Sequence, residues 1–215
     1  MTEFKFCGLT RSEDALAAGE FGAAYIGVIF AGGPRQLTPE RALVVLDGCG
    51  TAAKRVGVFG RSSPAEIAKI ARAVKLDVVQ LSGDPTAADV KAVRAAAGTR
   101  VWAVIRVEDS LPSDADSLFD SADAVVLDAR VAGMLGGTGV TISWPDIAQQ
   151  VAAVRRGRSL VLAGGLRPEN VAEAIKALAP NVLDVSSGVE SAPGIKDHAR
   201  MRAFASAAAG QMEKR

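Results

Sequence analysis

Apolar residues in this chain fall into two alternating kinds of segment. Short unbroken runs rich in Val, Ile and Leu occur at FKFCGL (4–9), AYIGVIF (24–30), RVGVFG (55–60), DVVQLSG (77–83), RVWAVIRV (100–107), AVVLDA (124–129), SLVLAGG (159–165) and VLDVSSG (182–188). Continuous apolar character fits strands buried on both faces, as parallel strands are. Between the runs lie alanine-rich stretches of helical period, several with a start signal. Ser12 precedes EDALAAGE, Thr38-Pro39 precedes ERALVVLDG, Ser63-Pro64 precedes AEIAKIARAV, and Arg167-Pro168 precedes ENVAEAIKAL. Proline in a first turn costs little, because that amide has no helical partner.

Strand then helix, eight times over in 215 residues, predicts an α/β fold of the (β/α)8 TIM-barrel type, one domain spanning residues 1–215. An open doubly wound sheet shares the alternation and is the competing architecture. The fifth unit is the weakest, since EDSLPSDADSLFDSA (108–122) allows only a short helix. The sixth strand is followed by a long glycine-rich loop, RVAGMLGGTGVTIS (130–143). In such barrels the site lies at the C-terminal ends of the strands. Cys7, Asp128, Gly164-Gly165 and Ser186-Ser187-Gly188 meet that criterion.

Composition narrows the chemistry. A formal net charge of +1 argues against nucleic acid or a membrane surface as partner, while leaving a local anion site open. No apolar run reaches the roughly 18 residues of a membrane span. The start, MTEFKFCG, enters a strand without the segments of a signal peptide, so a cytoplasmic location is expected. The two cysteines, Cys7 and Cys49, form no CxxC and are expected to be free thiols. With His198 the single histidine, neither a histidine-based metal site nor a Ser-His-Asp triad is expected. Acid–base work falls to carboxylates, thiols, lysines or tyrosine.

Strand alternation orients the candidates. Phe4 and Phe6 suit the layer between barrel and helices, which turns Lys5 and Cys7 inward. On the sixth strand Ala124, Val126 and Asp128 share a face. If that face is also inward, Cys7 and Asp128 approach from strands three places apart around the ring. A thiol and a carboxyl across a cleft can act as base and acid, the interior raising the pKa of the carboxyl. The bland alternative makes Cys7 a small buried hydrophobe, the reading adopted for Cys49. An interior Lys5 needs a counter-charge, and Asp184 on the neighbouring eighth strand can supply it. The turns AGGLRPENV and SSGVESAPGIKD, after strands seven and eight, lie where barrels hold phosphate, although glycines can serve tight turns alone.

Taken in order, KFCGLT, GAAYIGVIF followed by GPR, RVGVFG, VVQLSGD, VVLDA followed by GGTG, LAGGLRPENV and DVSSGVESAPGIKD resemble the phosphoribosylanthranilate isomerase family along nearly the whole chain. The resemblance implies an Amadori rearrangement of N-(5′-phosphoribosyl)anthranilate to its 1-deoxyribulose form, with no cofactor and no metal. It implies Cys7 as general base and Asp128 as general acid. It implies Arg35 on the anthranilate carboxylate and Gly164, Gly165, Ser187 and Gly188 around the phosphate. The partner would be a small phosphorylated substrate, and the assembly a monomer or homodimer.

This chain departs from the family's usual pattern at Ser82, where histidine is common, at Gly60-Arg61, and at the AGG before Pro34-Arg35. Three other readings compete. A ketol-isomerase of histidine biosynthesis would use two aspartates, and Cys7 stands in place of the first. An indole-glycerol-phosphate synthase-like lyase needs lysine and glutamate at strand ends, where strands two to four here end in IF, FG and SG. A non-catalytic barrel binding another phosphorylated metabolite is the third.

Overall fold

The structure is a computed structural model that describes residues 2–50, 53–107, 110–129 and 144–210. In chain order it contains β1 (Glu3–Phe6), α1 (Ser12–Glu20), β2 (Tyr25–Ile29), α2 (Pro39–Asp47), β3 (Lys54–Phe59), α3 (Pro64–Val74), β4 (Val78–Leu81) and α4 (Ala87–Ala97). There follow β5 (Arg100–Val107), α5 (Ala115–Ser121), β6 (Ala124–Ala129), α6 (Trp144–Arg155), β7 (Leu160–Leu162), α7 (Val171–Leu178) and β8 (Val182–Val185). After β8 come a single 3₁₀ turn (Ser187–Val189), a small hairpin of β9 (Glu190–Ala192) and β10 (Ile195–Lys196), and α8 (His198–Gly210). Strands β1 to β8 pair in sequence order, all parallel, and β8 pairs back onto β1. Closure decides between the two architectures: this is a (β/α)8 barrel.

Alternation divides the apolar residues into two layers. Phe6, Ile26, Phe59, Leu127 and Leu162 point outward into one cluster beneath the helices. There Phe4 and Phe6 pack edge-on or tilted against Phe204 of α8, with ring centroids 6.4 and 6.1 Å away. A second, smaller cluster fills the barrel, including Tyr25, Val56, Trp102, Val104 and Val126. Tyr25 and Trp102 meet inside it edge to face at 5.0 Å. Since Val126 is interior, the face it shares with Asp128 is the inward one.

Helix starts follow the expected chemistry at α2 and α3. Thr38 and Ser63 cap with their hydroxyls, and Ser63 forms a reciprocal capping box with Glu66. Helix α7 is a correction, because it begins at Val171 rather than beside Pro168. Asn170 accepts from the Arg167 amide at 2.9 Å and donates to the Gly165 carbonyl at 3.0 Å, closing a separate turn first. Several strands also stop short of their apolar runs. β7 ends at Leu162 and the chain then turns through Gly164 (φ +83°) and Gly165 (φ +63°). The short α5 is as expected, and the 130–143 loop lies outside the described residues.

Candidate active site

Cys7 follows β1 directly, still in step with the barrel through its amide, which donates to the Val185 carbonyl at 2.9 Å. The next residue, Gly8, turns the chain out with φ +68°. The thiol is buried, with 7% of the residue exposed. Beneath it, fully buried Lys5 donates to Asp184 Oδ2 at 2.7 Å and to Gln80 Oε1 at 2.9 Å. The anticipated Lys5–Asp184 pair therefore exists, between residues directly opposite each other in the β1–β8 register.

Room for this stack comes from a glycine. A methyl group at Gly27, in the middle of β2, would sit 2.9 Å from Lys5 Cε and 3.1 Å from Cys7 Sγ. Lys5 is pinned by two hydrogen bonds and cannot swing away at no cost. Gly27→Ala is expected to displace the thiol and lower kcat by about tenfold to a hundredfold, with little change in KM. Steady-state kinetics check this, and an unchanged kcat means that the stack yields freely.

Burial pushes the Cys7 thiol up; Lys5 and, more weakly, Lys196 pull it back, while Asp184 adds to the rise, and the thiol ends above its ordinary value. Burial alone would lower the Lys5 ammonium, but Asp184 and Cys7 outweigh it and hold the group charged. Across the barrel, Asp128 is held at about 6 by burial and by the Asp184 charge, against the opposing pull of Arg106 and Lys5. One rim thus carries a thiol and a carboxyl whose charged forms are both disfavoured.

Arg35, in the loop after β2, forms a two-point ion pair with Glu190 of β9, Nε at 2.8 Å and Nη2 at 2.6 Å. The two glycine turns meet each other. A methyl at Gly188 would lie 1.9 Å from the Leu166 carbonyl oxygen, so only glycine lets the turn after β8 close onto the turn after β7. Ser187 opens the 3₁₀ turn there and is exposed. Cys49 sits in the outer layer against α1, where a methyl on Gly19 would come 3.1 Å from its sulfur. His198, at the start of α8, meets Asp14 at 2.8 Å, outside this constellation.

Four polar residues of the site escaped the sequence reading. Gln80 and Arg106 were accessible to it, since alternation puts Gln80 in step with Val78 and Arg106 in step with Trp102 and Val104. Arg106 stands opposite Asp128 in the β5–β6 register, and its guanidinium reaches Asp84 and the Ser82 carbonyl. The backbone of Ser82, not its side chain, is what that contact uses. Glu190 and Lys196 carried no periodic signal, because they belong to the short hairpin rather than to a barrel strand.

A family model described as N-(5′-phosphoribosyl)anthranilate (PRA) isomerase matches residues 4–207. The chain belongs to this family. An N-(5′-phosphoribosyl)anthranilate isomerase of Pseudomonas fluorescens is 42% identical over 212 residues, covering 94% of this chain and 96% of the relative. One from Geobacter sulfurreducens is also 42% identical, over 98% and 100% of the two chains. Among solved structures, the Thermotoga maritima family member superposes with a TM-score of 0.85 at 35% identity, covering 98% of this chain and 100% of its own. A family member solved in complex with reduced 1-(o-carboxyphenylamino)-1-deoxyribulose 5-phosphate gives 0.82 at 32% identity, with coverage of 98% and 100%.

Proposed function

We propose that this chain is a phosphoribosylanthranilate isomerase of tryptophan biosynthesis that works by acid–base catalysis with Cys7 and Asp128. Asp128 gives its proton to the ribose ring oxygen. The C1′–O4′ bond breaks, and the nitrogen lone pair forms a Schiff base with C1′. Cys7, as thiolate, takes the proton from C2′, and the electrons of that C–H bond become the C1′=C2′ bond of an enolamine. Return of a proton to C1′ and loss of one from the C2′ hydroxyl give the ketone. The reaction is an internal redox exchange, C1′ being reduced and C2′ oxidised, so it draws on no outside oxidant or reductant.

The observation that carries the assignment is the pairing of a buried thiol with a carboxyl held at about 6, both inward at the same end of the barrel. Arg35 suits the anthranilate carboxylate, since guanidinium and carboxylate geometries match. Gly164, Gly165, Ser187 and Gly188 suit the phosphate, because closely approaching glycine turns expose backbone amides to an anion. The enzyme would act in the cytoplasm as a monomer or homodimer; the Thermotoga maritima relative is dimeric.

Purified protein given N-(5′-phosphoribosyl)anthranilate, made in place from anthranilate and phosphoribosyl pyrophosphate, is expected to consume it at about 1–10³ s⁻¹. Loss of substrate fluorescence follows the reaction. Folded protein that binds inorganic phosphate but leaves the fluorescence unchanged would be a barrel serving another phosphorylated ligand.

A further inference from the structure

We propose that Glu190 is a positioning residue that fixes the Arg35 guanidinium to read the ring carboxylate of the substrate. The inference rests on the role given to Arg35 above and adds the machinery that makes the arginine selective.

Arg35 leaves the barrel on a loop of mostly exposed residues that includes Gly32 and Gly33. A long side chain on such a loop would lose much rotamer freedom on binding a ligand. Glu190 removes that freedom beforehand. Its two oxygens take Nε and Nη2 at 2.8 and 2.6 Å, which occupies the side edge of the guanidinium. The end edge, formed by Nη1 and the second Nη2 hydrogen, is left for an incoming carboxylate. Among the described residues Nη1 has no protein acceptor within hydrogen-bonding distance. One planar cation can serve two carboxylates in this way, one per edge.

Glu190 is itself fixed. It is buried, with 8% exposure, and accepts from Lys196 Nζ at 2.9 Å and from the Gly194 amide at 3.3 Å. Burial would raise this carboxyl, but Arg35 and Lys196 outweigh it and keep it ionised. Lys196 also donates to the Ser186 carbonyl at 3.0 Å, which joins the hairpin to the end of β8. The arginine stem lies against the turn that follows the thiol: a methyl at Gly8 would come within 2.6 Å of Arg35 Cδ. A clamp referenced to Gly8 therefore sets the distance from the ring carboxylate to Cys7. Burial pulls the Lys196 ammonium below its ordinary value despite Glu190, so the charge the ligand meets is that of Arg35.

The test compares two ligands, the reduced product analogue 1-(o-carboxyphenylamino)-1-deoxyribulose 5-phosphate and the same molecule without its carboxylate. Inhibition constants for both, with inorganic phosphate as a third probe, are measured on wild type, Glu190→Gln and Arg35→Gln. Wild type should prefer the carboxylate-bearing analogue by tenfold or more. Glu190→Gln should cut that preference about tenfold while leaving phosphate and the carboxylate-free analogue within about twofold of wild type. KM should rise more than kcat falls. Should Glu190→Gln unfold because Lys196 loses its partner, Glu190→Gln with Lys196→Met supplies the same comparison. An unchanged preference in the Glu190 variant, with the preference lost in Arg35→Gln, overturns the positioning role alone. Equal weakening of all three ligands reduces Glu190 to a structural residue. No preference in wild type removes the Arg35 assignment and this inference with it.

Discussion

Cys7→Ala is expected to lower kcat by about 10³- to 10⁴-fold, and Asp128→Asn by a similar factor, with phosphate affinity preserved in both. The pH profile gives this prediction a sharper form. The reaction needs Asp128 protonated and Cys7 ionised at once. Asp128 sits at about 6, and burial lifts Cys7 above the ordinary thiol value of roughly 8.5. The reacting pair is therefore a minority form, below about one molecule in a hundred at any pH. Below pH 6 its population rises with pH as Cys7 begins to ionise. Between the two values it is level, since each gain in thiolate is matched by a loss of protonated Asp128. Above the Cys7 value it falls. The acid-side break near 6 thus reports Asp128, although Asp128 is the acid. In Asp128→Asn the residual rate should lose this break and go on rising into the alkaline range. A profile that keeps its break near 6 would remove Asp128 from the proton-transfer steps.

The same carboxyl has a cost in stability, and its sign follows from linkage. The folded value of about 6 exceeds the unfolded value of about 3.9, so between them the folded state binds more protons and stability falls as pH rises. Above pH 6 the whole penalty is present. Asp128→Asn should then unfold at higher urea than wild type, by about 2 kcal/mol, less than the full shift because the side chain is partly open to water. Below about pH 4 the two proteins should converge. Equal stability at pH 8 would mean that the carboxyl is not held up in the folded protein.

How far the sequence could be followed depended on periodicity. Residues on barrel strands obey a period of two, so the inward set Lys5, Asp128 and Asp184 could be placed and the Lys5–Asp184 contact anticipated from strand adjacency. Gln80 and Arg106 obey the same rule, but each stands one residue before the end of its strand, where nothing in the sequence marks it for chemistry. Residues beyond the strands follow no such rule. Glu190 and Lys196 come together because a hairpin folds back over the rim, a contact that depends on the three-dimensional path of SSGVESAPGIKD. The start of α7 is hidden for a related reason, since the Asn170 side chain closes a turn that the proline signal does not distinguish from the helix itself. Gly27 reads in sequence as an ordinary weak point in a strand, and its purpose emerges only from what its missing side chain would strike.

Lys5→Met is expected to destabilise the protein by about 3–5 kcal/mol, because it strands Asp184 in the interior, where Oδ1 already has no hydrogen-bond partner. Replacing both residues, Lys5→Met with Asp184→Leu, should recover most of that stability, as well-packed apolar pairs commonly substitute for buried ion pairs. The rate should not recover with it. Around Cys7, Lys5 pulls the thiol down more strongly than Asp184 pushes it up, so losing both raises the thiol. Around Asp128, Asp184 pushes the carboxyl up more strongly than Lys5 pulls it down, so losing both lowers the acid. The buried pair draws the two catalytic values toward each other, and its removal drives them apart. Each unit of separation divides the population of the reacting form by ten. The double variant should therefore show a plateau in kcat/KM that is wider at both ends and lower, with alkylation of Cys7 shifted to higher pH. Wild-type plateau height in a stably folded double variant would confine the pair to holding the barrel together; a lowered and widened plateau makes it the device that keeps enough thiolate and carboxylic acid present together for the isomerisation to run.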